Sequence, residues 1–208
     1  MSDKIYQWSY SRLSTFESCP KKAYYAYVKR IKEPGNKYME RGKTMHSMCE
    51  DYIRGRYEEI PKELADFEEA FDKDWKPAPW FGDTTWGRAK VDAFVYIDGQ
   101  PNARVIDFKT GRYDGNQETH REQCELYGAV VLERMPEVET ITTELWYLDH
   151  GKIDRYEYSE DNITYKREKL NNRAVAMTEA TEFPAKPSTF GCKWCYFGKE
   201  KICEDRYE

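Results

Sequence analysis

The feature that most constrains the fold is a pair of strand-like stretches separated by a strong turn signal. In Lys90–Ile97 and Ala103–Lys109, apolar and polar residues alternate with a period of two, which is typical of a strand with one buried face. The residues between them, Asp98-Gly-Gln-Pro-Asn102, favour a tight turn. The sequence therefore predicts an antiparallel hairpin over residues 90–109.

A second hairpin and several helices surround this stretch. Thr140–Leu148 and Lys152–Tyr158 are strand-like on either side of the turn signal Asp149-His-Gly151. Apolar residues recur with helical spacing in the segments that precede and follow the hairpins. These segments predict helices over residues 21–31, 37–58, 62–75, 117–134 and 161–181.

Local signals refine the N-terminal half. The run Ser9-Tyr-Ser-Arg-Leu-Ser-Thr-Phe-Glu17 predicts a short capped helix, with Ser14 or Ser11 as the cap. Pro20 suits the first turn of the helix that follows. Helix 37–58 carries an apolar stripe of Met45, Met48, Cys49, Tyr52 and Ile53.

The order of elements predicts an α/β fold in which a mixed sheet is flanked by helices. At 208 residues the chain is long enough for one domain with a substantial core. We expect that domain to comprise N-terminal helices in residues 1–35, a central core in 36–182 and a cysteine-rich tail in 183–208.

Composition excludes some classes of function. A net charge of -5 argues against a large non-specific surface for nucleic acid, although not against a local cleft that grips a few phosphates. No apolar run is long enough to cross a bilayer, and the N-terminus lacks the apolar stretch of a signal peptide. We expect a cytoplasmic protein of a bacterial, archaeal or phage-infected cell.

Acidic and basic side chains converge at the end of the first hairpin. Asp107 and Lys109 are two residues apart in a strand and therefore point the same way, and Asp92 could lie beside them across the hairpin. Two carboxylates suit Mg²⁺ or Mn²⁺, and a lysine can stabilise a charged transition state. A surface salt bridge explains the same residues without any chemistry.

Three further residues could belong to this group. His46 follows Gly42 on a predicted helix and could supply an imidazole, although a helical histidine is usually structural. Gln123 and Tyr127 are one turn apart on another helix and share a face, from which both could contact DNA. A partly buried helix face would explain this pair equally well.

Taken in order, these pieces resemble the RecB-like branch of the PD-(D/E)xK nuclease superfamily. The segment Tyr10-Ser-Arg-Leu-Ser-Thr-Phe-Glu-Ser-Cys-Pro20 also looks like the N-terminus of that branch. The glycine Gly87 lies farther from the aspartate than the branch's usual glycine does, so the second motif rests on Asp92. The matching segments are Gly42-Lys-Thr-Met-His46, Gly87-Arg-Ala-Lys-Val-Asp92, Asp107-Phe-Lys109 and Gln123-Cys-Glu-Leu-Tyr127.

The resemblance implies a restriction-endonuclease-like core and a role for each matching residue. His46, Asp92, Asp107 and the backbone carbonyl of Phe108 would bind the catalytic Mg²⁺ or Mn²⁺. Asp92, Asp107 and Lys109 would form the catalytic set, with Lys109 as the catalytic lysine. Gln123 and Tyr127 would contact DNA near the bond that is cut.

The cysteines form a second pattern. Cys192, Cys195 and Cys203 have C-x2-C-x7-C spacing, which is typical of metal ligands, and Cys19 is a candidate for a fourth ligand. The resemblance implies that these four hold a [4Fe-4S] cluster that ties the termini together, as in CRISPR-associated and AddB-type members. Zn²⁺ bound by the same sulfurs, or no metal at all, are the alternatives. Cys49 and Cys124 fit the core.

The leading hypothesis is a metal-dependent DNA exonuclease of recombination, repair or replication. Its partner would be DNA with an end or a single-stranded portion, and the protein could also form a homo-oligomer or bind a helicase, since no Walker motif occurs. The alternatives are a nuclease that trims spacer precursors in CRISPR adaptation and a non-catalytic DNA-binding subunit. A structural zinc protein with an accidental strand motif is a third.

Overall fold

The predicted central hairpin is present in the computed structural model, which describes residues 3–56, 67–97 and 99–207. Strand β3 (Ala93–Tyr96) pairs antiparallel with β4 (Asn102–Lys109). Asp98 of the predicted turn lies outside the described residues, whereas Gly99 adopts a φ of 75° that suits glycine. The prediction of a hairpin is confirmed.

The hairpin is part of a mixed sheet with the strand order β3-β4-β5-β6. Strand β5 (Thr140–Tyr147) runs parallel to β4, and β6 (Lys152–Tyr158) pairs antiparallel with β5 as predicted. Parallel neighbours need a long connection, which helix α4 (Gln117–Arg134) supplies between β4 and β5. The mixed sheet with flanking helices confirms the predicted fold class.

The prediction of a helix over residues 62–75 is wrong for the part of this segment that the structure describes. Residues 62–66 lie outside the described residues. Strand β1 (Glu68–Phe71) follows, and it pairs antiparallel with β2 (Gly87–Lys90) in a separate sheet of two strands. Phe71 is fully buried and its ring stacks on Trp75 at 4.6 Å, so tertiary packing overrides the local helical preference here.

The helices begin and end close to the predicted positions. Helix α1 is Tyr10–Ser18, but its cap is Ser9, whose hydroxyl accepts the N–H of Arg12, and neither Ser11 nor Ser14. The remaining helices are α2 (Pro20–Ala23), a π-helical segment (Tyr24–Val28), α3 (Lys37–Arg56), α5 (Glu160–Thr178), α6 (Thr189–Trp194) and α7 (Tyr196–Lys199).

The chain forms two compact units. One comprises Met1–Pro34 and Asn171–Glu208, and the other comprises Gly35–Leu170. The expectation of one domain, divided at residues 35 and 182, stays a prediction. None of the helices within the described ranges has the length and apolarity to cross a membrane.

The core of the unit Gly35–Leu170 lies against the mixed sheet. Ala93, Ile106 and Phe108 form a buried cluster on which Cys49 and Trp146 pack. On the predicted stripe of α3, Met48 and Tyr52 are instead largely exposed, at 60% and 58%. The side chain of Ile53 lies outside the described part. The stripe is therefore buried only in part.

Helix α4 crosses the sheet at close range. It buries a continuous run from Cys124 to Leu132, which confirms that Cys124 is a core residue. A Cβ at Gly128 would lie 3.0 Å from the ring of Tyr158, so a larger residue here would have to displace that ring. The close approach brings the polar side chains near the N-terminus of α4 over the end of β4.

Candidate active site

Asp107 and Lys109 project from the same face of β4, as their spacing predicts. The ammonium nitrogen of Lys109 lies 2.5 Å from Oδ2 of Asp107, and the Asp107 carboxylate is almost completely buried. An exposed strand-edge salt bridge does not describe this pair, because the lysine side chain is itself only 16% exposed. The structure places a buried ion pair at the end of the strand.

Asp92 joins this pair from a different position than we expected. It lies in the bend between β2 and β3 and not within a strand. Its Oδ2 accepts the backbone N–H of Phe108 at 2.8 Å and lies 3.2 Å from Nδ1 of His46. The break in the strand thus turns the carboxylate of Asp92 toward β4.

His46 comes from α3 and lies over the same edge. Its ring meets the ring of Phe108 edge-on, with 5.9 Å between the centroids. The hydrogen bond with Asp92 raises the pKa of His46, and this effect outweighs the desolvation that would lower it. His46, Asp92 and the backbone of Phe108 are therefore in direct contact.

Gln123 and Tyr127 complete a closed network with the ion pair. Lys109 donates to Oε1 of Gln123 at 2.8 Å, and Nε2 of Gln123 donates to the Tyr127 hydroxyl at 2.5 Å. Tyr127 in turn donates to Oδ1 of Asp107 at 3.2 Å. One helix turn, from Gln123 to Tyr127, rises about as far along its axis as the two residues from Asp107 to Lys109 extend along the strand.

Burial dominates the electrostatics of the network. It raises the pKa of Asp107, although the charge of Lys109 acts in the opposite direction. Burial also raises the pKa of Tyr127 well above its usual value, so this hydroxyl keeps its proton and acts as a hydrogen-bond donor to the carboxylate. A cation would favour the charged form of Asp107 in the same way as Lys109 does.

Oδ2 of Asp107 is the oxygen at which a metal ion could replace the lysine. This buried oxygen is held by the Lys109 ammonium at 2.5 Å. Among the described residues, no three His, Cys, Asp or Glu side chains are arranged to hold a metal ion as they stand. The donor types fit Mg²⁺ or Mn²⁺, and a bound ion would replace the contacts of Lys109 with Asp107 and of His46 with Asp92.

Two residues that the sequence did not reveal lie next to the network. Nδ1 of His120 lies 3.1 Å from the hydroxyl of Tyr147, and Tyr147 is the partner of Lys109 in the parallel register. Burial and the charge of Lys109 lower the pKa of His120 to about 4. His120 is one turn before Gln123, a spacing that could have suggested it, whereas Tyr147 required knowledge of the register.

An exposed ion pair connects α3 to the end of β4. The guanidinium of Arg41 contacts both carboxylate oxygens of Asp149, and Asp149 also accepts the N–H of Gly111 at 2.6 Å. These contacts lower the pKa of Asp149 to about 2, with the Arg41 hydrogen bond as the largest cause. The helix that carries His46 is thereby tied to the loop after Lys109.

The predicted cluster cysteines surround a cavity in the other unit. Cys19, Cys192, Cys195 and Cys203 line one cavity of about 150 Å³, and all four are free thiols. Burial raises the pKa of Cys203, and the neighbouring Cys19 and Cys195 contribute further. Backbone N–H groups lie near two of the sulfurs, Lys186 N at 3.5 Å from Cys19 and Tyr207 N at 3.4 Å from Cys192.

A comparison against protein families agrees with the fold. The sequence model of the PD-(D/E)XK nuclease superfamily matches residues 7–90 and 81–203. The chain belongs to this superfamily. The prediction of a nuclease of this superfamily is thereby confirmed, whereas the RecB-like branch stays a prediction.

Solved structures share the fold at low sequence identity. A protein named SSO0001 superposes with a TM-score of 0.52 at 16% identity, over 100% of this chain and 90% of that one. A protein from Eubacterium rectale described as a "putative exonuclease" gives a TM-score of 0.56 at 12% identity, over 98% of this chain and 91% of that one. A comparison of the sequence with curated proteins gives no match.

Proposed function

We propose that this protein is a metal-dependent deoxyribonuclease that hydrolyses phosphodiester bonds at DNA ends. The observation that carries the proposal is the burial of the Asp107 carboxylate against the Lys109 ammonium, 2.5 Å from Oδ2, inside a closed polar network. A buried ion pair adds little to stability by itself, because desolvation of the two charges offsets their attraction. Buried titratable groups with a shifted pKa, as at Asp107, cluster at functional sites.

Residues near Asp107 would hold the divalent cation once the contacts of Lys109 and His46 have been exchanged for it. His46, Asp92, Asp107 and the carbonyl of Phe108 would be its protein ligands. Three of these donors are oxygens, which suit Mg²⁺ or Mn²⁺ best, and His46 would add one nitrogen. When bound, such an ion activates water and offsets the charge that develops on the phosphate. Ligation by His46 requires a neutral nitrogen, so its hydrogen bond with Asp92 must be exchanged for the metal.

The remaining side chains orient the reacting groups. Lys109 would hold the attacking water or a phosphate oxygen, and its hydrogen bond to Gln123 fixes the ammonium in place. Tyr127 keeps Asp107 aligned through its hydroxyl. Gln123 and Tyr127 would contact the DNA backbone beside the bond that is cut, once the strand displaces part of the network.

Cleavage from an end, and not within the strand, is the finer part of the proposal. It is supported by the sequence resemblance to the RecB-like branch and by the description of the Eubacterium rectale protein as a "putative exonuclease". The likeness to that protein is at the level of fold. DNA repair, recombination or replication is the process in which we place such an activity.

We further propose that Cys19, Cys192, Cys195 and Cys203 hold a [4Fe-4S] cluster. The convergence of four free thiols on one cavity supports this proposal. A tetrahedral zinc ion, the alternative, would bring the sulfurs to about 3.8 Å from one another, given Zn–S bonds of about 2.3 Å. As the described residues stand, no such group of three is formed, so the sulfurs would have to move for either metal.

Cleavage of end-labelled linear DNA tests the proposed nuclease activity. With Mg²⁺ or Mn²⁺, the protein should shorten linear strands and leave a closed circle intact, and EDTA should stop the reaction. Asp107→Ala and Lys109→Ala should each lower the rate by about 10³-fold. Lys90→Ala removes an exposed ion pair between Lys90 on β2 and Glu68 on β1, and this matched control should cut at the normal rate.

The outcomes separate the candidate functions. Uncut DNA under every metal condition, with binding retained, would identify a non-catalytic DNA-binding subunit. Cleavage that persists in Asp107→Ala would show that the site lies elsewhere. Opening of the closed circle would replace the exonuclease by an endonuclease with the same metal site.

A further inference from the structure

Helix α6 presents two large aromatic rings to solvent. Phe190 is 74% exposed and Trp194 is 61% exposed. The two residues are four apart, so their side chains share one face of the helix. Exposed aromatic side chains that adjoin each other mark an interaction surface more often than an isolated one does.

Lysine side chains border the same rings. The ammonium nitrogen of Lys193 lies 5.7 Å from the Trp194 ring centroid, and that of Lys199 lies 5.1 Å from it. The segment 185–201 contains four lysines and one glutamate, whereas the whole chain has a net charge of -5. A local positive charge in an acidic protein selects for a negatively charged partner.

The backbone beneath these side chains is well fixed. Ser188 caps α6 by accepting the N–H of Gly191 at 3.0 Å, and Phe197, just beyond the helix, is only 2% exposed. The ring of Phe197 packs on Tyr25 with 5.2 Å between centroids. The exposed rings are therefore presented by a rigid support, which lowers the entropic cost of binding.

We propose that Phe190, Lys193, Trp194 and Lys199, the aromatic–lysine patch, bind single-stranded DNA. The bases would stack on the two rings, and the phosphates would pair with the two ammonium groups. A duplex hides the faces of its bases in its own stack, so exposed rings favour an unpaired strand. The inference rests on the proposed function in one respect: the strand held here would be the one delivered for cleavage.

Binding in EDTA tests the patch without cleavage. Fluorescence anisotropy with a labelled oligodeoxythymidine should show that Trp194→Ala weakens binding by roughly tenfold, since stacking on one aromatic side chain contributes about 1–3 kcal/mol. Trp194→Phe should keep most of the affinity because it keeps a ring. Tyr165→Ala removes an equally exposed ring (75%) on α5 and should bind like the unaltered protein.

Salt dependence tests the lysines separately. Lys193→Gln and Lys199→Gln should each reduce the slope of log affinity against log salt by about 0.7, the value for one phosphate contact on a single strand. Phe190→Ala should weaken binding in the same direction as Trp194→Ala. Thermal melting of each variant confirms that the fold is intact.

Three results would overturn the proposal. Unchanged affinity of Trp194→Ala for the oligonucleotide excludes the patch, even if the protein is an active nuclease. Tighter binding of a blunt duplex than of the single strand excludes the stated partner. Loss of self-association in Trp194→Ala, with DNA affinity unchanged, would assign the patch to a second copy of the chain. If DNA is never cut but Trp194→Ala loses binding, the patch stands and the nuclease proposal fails.

Discussion

At the end of β4, the polar side chains of the site contact one another, from Asp107 through Tyr127 and Gln123 to Lys109. Around the cysteine cavity of the other unit, the hydrogen bonds to Cys19 and Cys192 come instead from backbone N–H groups. A network that is already bonded keeps its geometry before a ligand arrives. A cavity lined by thiols depends on its ligand for much of its order, so the two sites should respond differently to mutation.

The largest effect on stability is expected at the cysteine cavity. Cys203→Ser should lower the free energy of unfolding by about 4 kcal/mol, because it would remove a ligand of the proposed cluster and the loss of a metal is among the most destabilising single changes. Iron content and visible absorption of the anaerobically purified protein measure the cluster, and thermal melting measures the loss of stability. Cys49→Ser, at a half-buried cysteine outside the cavity, is the control and should keep the iron.

The result also decides between the metals. Zinc without iron in the unaltered protein would replace the cluster by the tetrahedral zinc site. Cys203→Ser with unchanged melting and unchanged metal content would show that the cavity holds no structural metal, and the contrast between the two sites would then disappear.

A smaller effect is expected within the polar network. Tyr127→Phe removes the hydroxyl that donates to the buried Oδ1 of Asp107, so unfolding in EDTA should become easier by about 1–3 kcal/mol. Tyr158→Phe is a matched control, because the buried hydroxyl of Tyr158 has no hydrogen-bond partner. Its loss should leave the stability unchanged or raise it. If urea denaturation gives the same change in the free energy of unfolding for both variants, the hydrogen bond from Tyr127 to Asp107 does not stabilise the network.

The smallest effect is expected from His120, as a dependence on pH. Its folded pKa of about 4 lies below the unfolded value of about 6.5, so the unfolded chain binds the proton first as the pH falls. The His120 contribution to stability is therefore complete above pH 6.5 and decreases between about 6.5 and 4. The free energy of unfolding should therefore fall less between pH 7 and pH 5 in His120→Gln than in the unaltered protein. After allowance for solvent screening, we expect the difference to be about 1 kcal/mol.

The measurement compares how steeply the free energy of unfolding changes with pH in the two proteins, and not its absolute value. Denaturation of both proteins from pH 7 to 5 separates the proton effect from the lost hydrogen bond with Tyr147, which is the same at each pH. Parallel curves for the unaltered protein and His120→Gln would mean that His120 is not desolvated beside Lys109.

Sequence patterns predicted the elements that are determined locally. Helix α4 has the predicted bounds, and both hairpins are present because their turns and alternation are short-range signals. Asp107 and Lys109 point the same way for the same reason. Helical spacing placed Gln123 and Tyr127 on one face, and the family resemblance favoured a functional role for them. The structure joins both to this pair by hydrogen bonds.

The missed features depend on distant contacts. In β1, the sequence Glu68-Glu-Ala-Phe71 has residues that favour a helix, with Phe67 and Phe71 at helical spacing. Its strand partner begins at Gly87, so the pairing that makes it a strand is not visible locally. The contact of His120 with Tyr147 has the same origin, because it requires the parallel register of β4 and β5.

The crossover through α4 has a consequence for the order in which the protein is made. Asp107 and Tyr127 are 20 positions apart, and the strand β5 that completes the crossover ends at Tyr147. The polar network can therefore form on the ribosome as soon as this stretch has emerged. The cysteine cavity cannot be complete until Cys203 has been synthesised, because Cys19 lies near the N-terminus and the other three thiols lie near the C-terminus. During translation, Cys19 is therefore the thiol of the cavity that is present longest without the other three.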